Sequence, residues 1–151
     1  MIRRIASSYE AKPHLAQELA QDIYLAVWRA LPSFRVQASS RTFVARIATN
    51  RAITHVVRAM KDPLPVALDD SIAAPEDPER QAIEQDQKER MMGAMRELPL
   101  VLRQAALLAA EGLTPQEIAE VLGISSNAAS VRLSRAKDRL RQLLKVGHEH
   151  E

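Results

Sequence analysis

The segment from Thr114 to Gly123 constrains the fold of this chain more than any other. It begins with Thr-Pro-Gln-Glu. The Thr114 hydroxyl can accept a hydrogen bond from the Glu117 amide, the Glu117 carboxylate can return one to the Thr114 amide, and proline is favoured at the first helical position. A helix is therefore predicted to begin at Pro115 and to end before Gly123, where glycine can make a tight turn.

A second helix is predicted directly after that turn. Ser125 or Ser126 can cap it, and small residues at Ala119 and Ala129 would let the two helices approach closely. Its apolar positions recur at helical spacing: Ala129, Leu133, Ala136, Leu140 and Leu143 or Leu144. This spacing predicts a helix-turn-helix.

The rest of the sequence also favours helices. It has only four glycines, and aromatic and β-branched residues are sparse beside Ala, Leu, Arg, Glu and Gln. A four-residue apolar repeat from Leu15 to Val27 predicts one helix, which Pro32 limits. Further helices are predicted over 41–60, with Val57 and Met60 facing inward, over 79–97, and from Pro99 to Gly112. Residues 1–12 are predicted to hold the end of another.

The stretch 62–78 divides the chain. It contains four of the eight prolines and several acids, and it has no periodicity of a helix or strand. We therefore predict an all-α fold of two small helical domains, 1–61 and 79–146, joined by a flexible acidic linker and followed by a frayed tail at 147–151.

Charge is distributed unevenly along the chain. Residues 35–61 contain six Lys and Arg residues and no acid, and residues 127–145 contain six against one acid. Two basic blocks flanking an acidic connector suggest two surfaces that face nucleic acid. For either block alone, a solvated helix face explains the charge equally well.

Several classes of function are disfavoured by the sequence. No nucleophile, base and orienting group occur together, there is no glycine-rich phosphate loop, and the chain has no cysteine. His148 and His150 lie in the predicted tail and make a poor metal site. No apolar run is long enough to span a membrane. We expect a cytoplasmic protein that is not an enzyme and binds no cofactor or metal.

The basic final helix carries the side chains that a reader of duplex DNA needs. Near its amino terminus and off its apolar stripe lie candidates for contact with base edges: Ser126, Asn127, Ser130 and Val131. The candidates for phosphate contacts are Arg132, Arg135 and Lys137.

Taken in order, the motifs resemble a known family. Residues 16–25 (AQELAQDIYL), 27–29 (VWR), 34–35 (FR), 41–43 (RTF) and 46–51 (RIATNR) are similar to the conserved core of extracytoplasmic-function (ECF) sigma factors. Residues 98–99 (LP), 112–114 (GLT), 117–119 (EIA), 122–125 (LGIS) and 132–137 (RLSRAK) resemble the promoter-binding domain of the same family.

The resemblance implies a subunit that directs bacterial RNA polymerase to promoters. It implies that the first domain binds the coiled coil of the largest catalytic subunit through one face of a helix: Glu18, Gln21, Asp22, Leu25 and Arg29. It implies that the loop 34–40 and the next helix take the opened minus-ten strand, through Phe34, Arg35, Ser40, Asn50, Arg51, Thr54, His55 and Arg58. The second domain would contact the polymerase flap and read the minus-thirty-five duplex. An anti-sigma partner is a further hypothesis from the family.

Two other functions stay open at this point. An ordinary dimeric helix-turn-helix regulator explains residues 114–144 equally well but gives the acid-free segment no purpose. A helical adaptor that binds only proteins is the second alternative. Trp28 and Tyr24 are expected to pack in the core, whereas His55 can either face nucleic acid or be a partly exposed structural residue.

Overall fold

The computed structural model describes residues 1–35, 39–61 and 78–149. These residues form helices α1 (Ile2–Tyr9), α2 (Pro13–Ala30), α3 (Ser40–Lys61), α4 (Pro78–Glu97), α5 (Leu100–Ala110), α6 (Pro115–Leu122) and α7 (Ser126–Glu149), with a 3-10 turn at Leu31–Ser33. No strand occurs among them, which confirms the all-α prediction. No helix within these ranges is long and apolar enough to cross a membrane.

The first three helices form one unit, in which α1 packs across α2 and α3. Its interior combines Ile5 of α1 and Ile23 of α2 with Ala48 and Ala52 of α3, all at most 1% exposed. The inward face of α3 thus consists of small residues, which let the helices approach closely. The expectation that Val57 and Met60 face inward is wrong, because the last turn of α3 is exposed throughout, and Met60 is 78% exposed.

The helix-turn-helix prediction is confirmed in detail. The Glu117 amide donates to Thr114 Oγ1 at 3.2 Å, and the Thr114 amide donates to Glu117 Oε1 at 3.0 Å, so both halves of the capping box form. Gly123 ends α6 in the left-handed region at φ 68°. The Ala128 amide donates to Ser125 Oγ at 3.1 Å, which makes Ser125 the cap of α7.

Helices α4, α5, α6 and α7 pack on one another as a second unit, and the two units share their interior. One buried cluster joins Ile5 and Ile23 of the first unit to Leu98 and Leu107 of the second. In another, Ala45 of α3 lies among residues of the second unit: Ala105, Leu108, Leu113, Ile118, Ala119, Val121 and Ala129. The first and second units therefore pack directly on each other.

The predicted boundaries between the units stay a prediction. Most of the predicted linker, residues 62–77, lies outside the described residues, and α4 begins at Pro78. Helix α7 continues to Glu149, three residues beyond the predicted end of the second unit.

Candidate functional site

One face of α2 is open to solvent along its whole length. The five residues predicted to bind polymerase all lie on it and are all exposed: Glu18, Gln21, Asp22, Leu25 and Arg29. The structure thus brings this predicted set together on one surface.

The same face carries large apolar residues that the sequence analysis placed in the core. Trp28 is 72% exposed and Tyr24 is 50% exposed, so that expectation is wrong. Trp28 follows the buried Ile23 by five residues, which rotates it about 140° around the helix and away from the interior. With Leu25 and Leu31, 46% and 45% exposed, these side chains form an exposed apolar patch, a feature typical of an interaction site.

The outer face of α3 is polar. Asn50, Arg51, Thr54 and Arg58 of the predicted minus-ten set are exposed there, within two and a half turns of one another. Thr54 Oγ1 donates to the Asn50 carbonyl at 3.0 Å, a bond within the helix that orients the hydroxyl. The arrangement presents two guanidinium groups and two hydrogen-bonding side chains to solvent.

The faces of α2 and α3 border one another. A cavity of about 160 Å³ between them is lined by the core residue Leu19 and by residues from both predicted sets: Glu18, Asp22, Arg51, Thr54, His55 and Arg58. Arg51 Nη1 lies 3.8 Å from Asp22 Oδ1, with both side chains about half exposed. Solvent screens such a pair, so it holds Arg51 only weakly.

His55 is half-buried at the edge of this cavity. Its Nε2 lies 3.6 Å from Glu10 Oε2, too far for a hydrogen bond, and has no hydrogen-bond partner within the ranges that the structure covers. The structure thus places His55 against the turn between α1 and α2, and its contact with nucleic acid stays a prediction.

The segment before α3 is described only at its ends. Phe34 packs against Phe43 of α3, with ring centroids 5.0 Å apart. Arg35 and Ser40 are exposed. Residues 36–38 of the predicted capture loop lie outside the described residues.

The amino-terminal turns of α7 project from the helix-turn-helix. All four candidates for base contact are exposed: Ser126, Asn127, Ser130 and Val131. Arg135 and Lys137 are exposed as well, whereas Arg132 is half-buried. The buried Ala129 and Ala136 form the opposite face, so the geometry matches that of a helix that enters a major groove.

Two arginines of the acid-free segment contact backbone carbonyls elsewhere in the protein, although both residues stay exposed. Arg46 Nη2 donates to the Glu120 carbonyl at 2.6 Å, and Arg41 Nη1 to the Gly112 carbonyl at 3.5 Å. Both acceptors belong to the second unit. This role was not predicted from the sequence, since a basic run gives no indication that its charges meet backbone carbonyls elsewhere in the chain.

Two family models match the chain. The model described as sigma-70 region 2 matches residues 1–61, and the model described as sigma-70, region 4 matches residues 88–140. The ECF RNA polymerase sigma factor ShbA of Streptomyces griseus is 31% identical over 137 residues, which cover 86% of this chain and 72% of ShbA. RNA polymerase sigma-H factor of Pseudomonas aeruginosa is 28% identical over 140 residues, covering 85% of this chain and 72% of that protein.

Solved structures share the fold. The sigma factor RpoE in complex with the anti-sigma factor NepR, from Bartonella quintana, superposes with a TM-score of 0.71 at 23% identity, covering 96% of this chain and 90% of that one. CnrH, solved with the cytosolic domain of CnrY, gives a TM-score of 0.68 at 23% identity, covering 96% and 80% of the two chains.

Proposed function

This chain belongs to the extracytoplasmic-function family of RNA polymerase sigma factors, and we propose that three of its faces divide promoter recognition between them. As a sigma factor it directs promoter-specific initiation by bacterial RNA polymerase, and its family is not one of enzymes. The α2 face binds the polymerase, the α3 face binds the opened minus-ten strand, and α7 reads the minus-thirty-five duplex. The observation that carries this division is that one chain presents residues of all three sets on exposed surfaces.

The α2 face has the composition of a protein-binding surface. Exposed aromatic residues contribute most strongly to binding when a partner removes them from water, and Trp28 and Tyr24 lie beside the predicted docking residues. Glu18 and Asp22 at its edge supply negative charge. A helical coiled coil of the largest catalytic subunit is the partner that the family implies, and an amphipathic helix is a suitable surface for it.

A second contact with polymerase is proposed for the second unit. An apolar groove of about 440 Å³ lies between α4 and α7, with Ile83, Met91 and Leu144 in its lining. Ile83 is 62% exposed and Met91 is 42% exposed. This groove is our candidate for the contact with the polymerase flap.

The α3 face suits a single strand. The cations Arg51 and Arg58 can follow a phosphate backbone, and Asn50 and Thr54 can hydrogen-bond an unstacked base. On α7, Asn127 and Val131 can contact an adenine edge and a thymine methyl group, while Arg135 and Lys137 bind phosphates.

The protein acts in the cytoplasm on this proposal, and an anti-sigma protein is its proposed regulator, in line with the complexes formed by its structural neighbours.

The test is run-off transcription with bacterial core polymerase on fragments of the host genome. We expect discrete starts that depend on this protein. Trp28→Ala should weaken core binding by tenfold or more, whereas Met60→Ala, which removes an equally exposed apolar side chain from another helix, should leave it unchanged. The absence of core binding, together with dimers that bind palindromic duplex, would instead support a helix-turn-helix regulator.

A further inference from the structure

We propose that Met91 is a site of reversible oxidation, and that its sulfoxide weakens the binding of an apolar partner in the groove between α4 and α7. The proposal deepens the proposed function and rests on it, because that groove is the candidate contact with the polymerase flap. It adds a chemical modification, by hydrogen peroxide, that controls how tightly the groove binds. Both helices of the groove belong to the second unit.

The methionines of α4 differ in how accessible their sulfur atoms are. The chain has five methionines and no cysteine, so thioethers are its only sulfur groups. Met95 is 7% exposed and belongs to the buried core. Met92 is half-buried, and its Sδ accepts a hydrogen bond from the Ser8 hydroxyl at 3.3 Å. Met91 is 42% exposed, so a peroxide in solvent can reach its thioether.

The groove around Met91 is apolar and open. It has a volume of about 440 Å³, and Ile83 and Leu144 line it beside Met91. A second cavity of about 210 Å³ adjoins it, since Leu144 lines both. Gly93 and Gly147 border the second cavity, and a Cβ built at either glycine meets no atom within 4 Å. The groove therefore admits a molecule as small as hydrogen peroxide without a conformational change.

The reaction transfers one oxygen atom to sulfur. A lone pair of the Met91 Sδ attacks one oxygen of hydrogen peroxide, the O–O bond breaks, and the proton of the attacked hydroxyl moves to the departing oxygen. The products are a sulfoxide and water, so the sulfur is oxidised by two electrons and the peroxide is reduced by two. Methionine sulfoxide reductases reverse the step with thiols, which become a disulfide while the oxygen leaves as water.

The sulfoxide changes what the groove can bind. A thioether is a flexible apolar group that fills irregular interfaces, whereas a sulfoxide is polar and chiral. A partner that covers the sulfoxide with apolar groups deprives its oxygen of hydrogen bonds with water. Burying a polar group in this way weakens binding by about tenfold or more. Oxidation of Met91 thus lowers affinity for the flap and leaves the α2 face unchanged.

Met60 provides a matched control in the same chain. Its side chain is 78% exposed, so it should react with peroxide at least as readily as Met91. It lies on the last, exposed turn of α3 and is not among the residues that line the groove. Oxidation of Met60 therefore adds the same oxygen atom to the chain at a place that the proposed flap contact does not cover.

The experiment oxidises the full chain before it meets polymerase. The parent, Met91→Leu and Met60→Leu are treated with hydrogen peroxide, catalase removes the excess, and mass spectrometry of peptides measures the sulfoxide at each methionine. Affinity for core polymerase, and for core polymerase that lacks the flap, is measured before and after treatment with methionine sulfoxide reductase. Met91→Gln and Met60→Gln, which introduce a polar side chain permanently, are compared without peroxide.

We expect sulfoxide at Met91 and Met60 and little at Met95. Peroxide should lower core affinity about tenfold in the parent and in Met60→Leu, and the reductase should restore it, whereas Met91→Leu should keep its affinity throughout. Met91→Gln should bind core polymerase about tenfold more weakly than Met60→Gln. Polymerase without the flap should bind the oxidised and the reduced parent alike.

Four results would each overturn the proposal. They are an unreacted Met91 under conditions that oxidise Met60, equal losses of affinity in Met91→Leu and the parent, parental affinity in Met91→Gln, and an equal effect of peroxide when the flap is absent. If the untreated parent does not bind core polymerase, the proposed function fails and the role of Met91 fails with it. If the parent binds and its oxidation changes nothing, only the role of Met91 fails.

Discussion

Replacing Gly123 and Gly93 by alanine should change stability in opposite directions. Gly123 ends α6 at φ 68°, and a Cβ built there meets no atom within 4 Å, so only backbone strain opposes the substitution. An alanine in this conformation costs about 1–2 kcal/mol, and the loss of glycine's freedom in the unfolded chain offsets about 0.4–1 kcal/mol of that. The net expectation for Gly123→Ala is a destabilisation of about 1 kcal/mol.

Gly93 provides the matched control, because it lies inside α4 and also has open space at the Cβ position. Alanine is favoured over glycine in a helix interior by about 1 kcal/mol, so Gly93→Ala should stabilise the protein by that amount. At about 2–4 °C per kcal/mol, the two variants should differ in Tm by roughly 4–8 °C in thermal melts followed by circular dichroism. The reasoning is refuted if Gly123→Ala melts at or above the parent temperature.

Three further predictions concern the core, the pH response and duplex binding. Truncation of the fully buried Ile118 to alanine should lower the free energy of unfolding of the protein by about 2–5 kcal/mol. Ile83→Ala, at an exposed position, should change that free energy by less than about 0.5 kcal/mol, and urea unfolding measures both. Burial raises the pKa of Tyr9 above its ordinary value despite the charge of Arg103; because the unfolded chain then loses this proton first, stability should fall as pH rises above about 10, and Tyr9→Phe should reduce that slope. In duplex-binding titrations, Arg135→Ala should weaken all sequences alike and reduce the salt slope by about 1, whereas Asn127→Ala should relax preference at one base pair by about 1–3 kcal/mol; equal losses on every sequence for both variants would contradict the assignment.

The local structure was largely predictable because its determinants are local. Thr114, Glu117 and Gly123 specify a capped helix and a turn through their own hydrogen bonds and dihedral angles, and the structure shows those bonds. The helices of the first unit were predictable for the same reason, since their apolar spacing depends only on helical period.

The tertiary arrangement was not predictable in the same way. Trp28 and Met60 were expected inside because large apolar residues are usually buried. Which side of a helix faces the core depends, however, on the other helices that pack against it, and the sequence pattern of one helix does not identify them. The contact of Arg46 with Glu120 joins residues 74 positions apart, and no periodicity indicates it. The candidate surfaces were predicted from charge, exposed position and family resemblance, and their individual roles remain predictions.

The insertion of Ala45 into the second unit has a consequence for engineering. Sigma factors invite the construction of chimeras, in which the promoter-reading half of one protein is exchanged for that of a relative. In this chain the graft would carry away Leu108, Ile118 and Ala129, which belong to the same buried cluster as Ala45. A foreign half would meet this alanine with side chains fitted to another partner and leave either a void or a clash. A grafted half would therefore bring its DNA preference without necessarily packing correctly on α3. An exchange limited to the exposed residues of α7 should be tolerated better than exchange of the whole half.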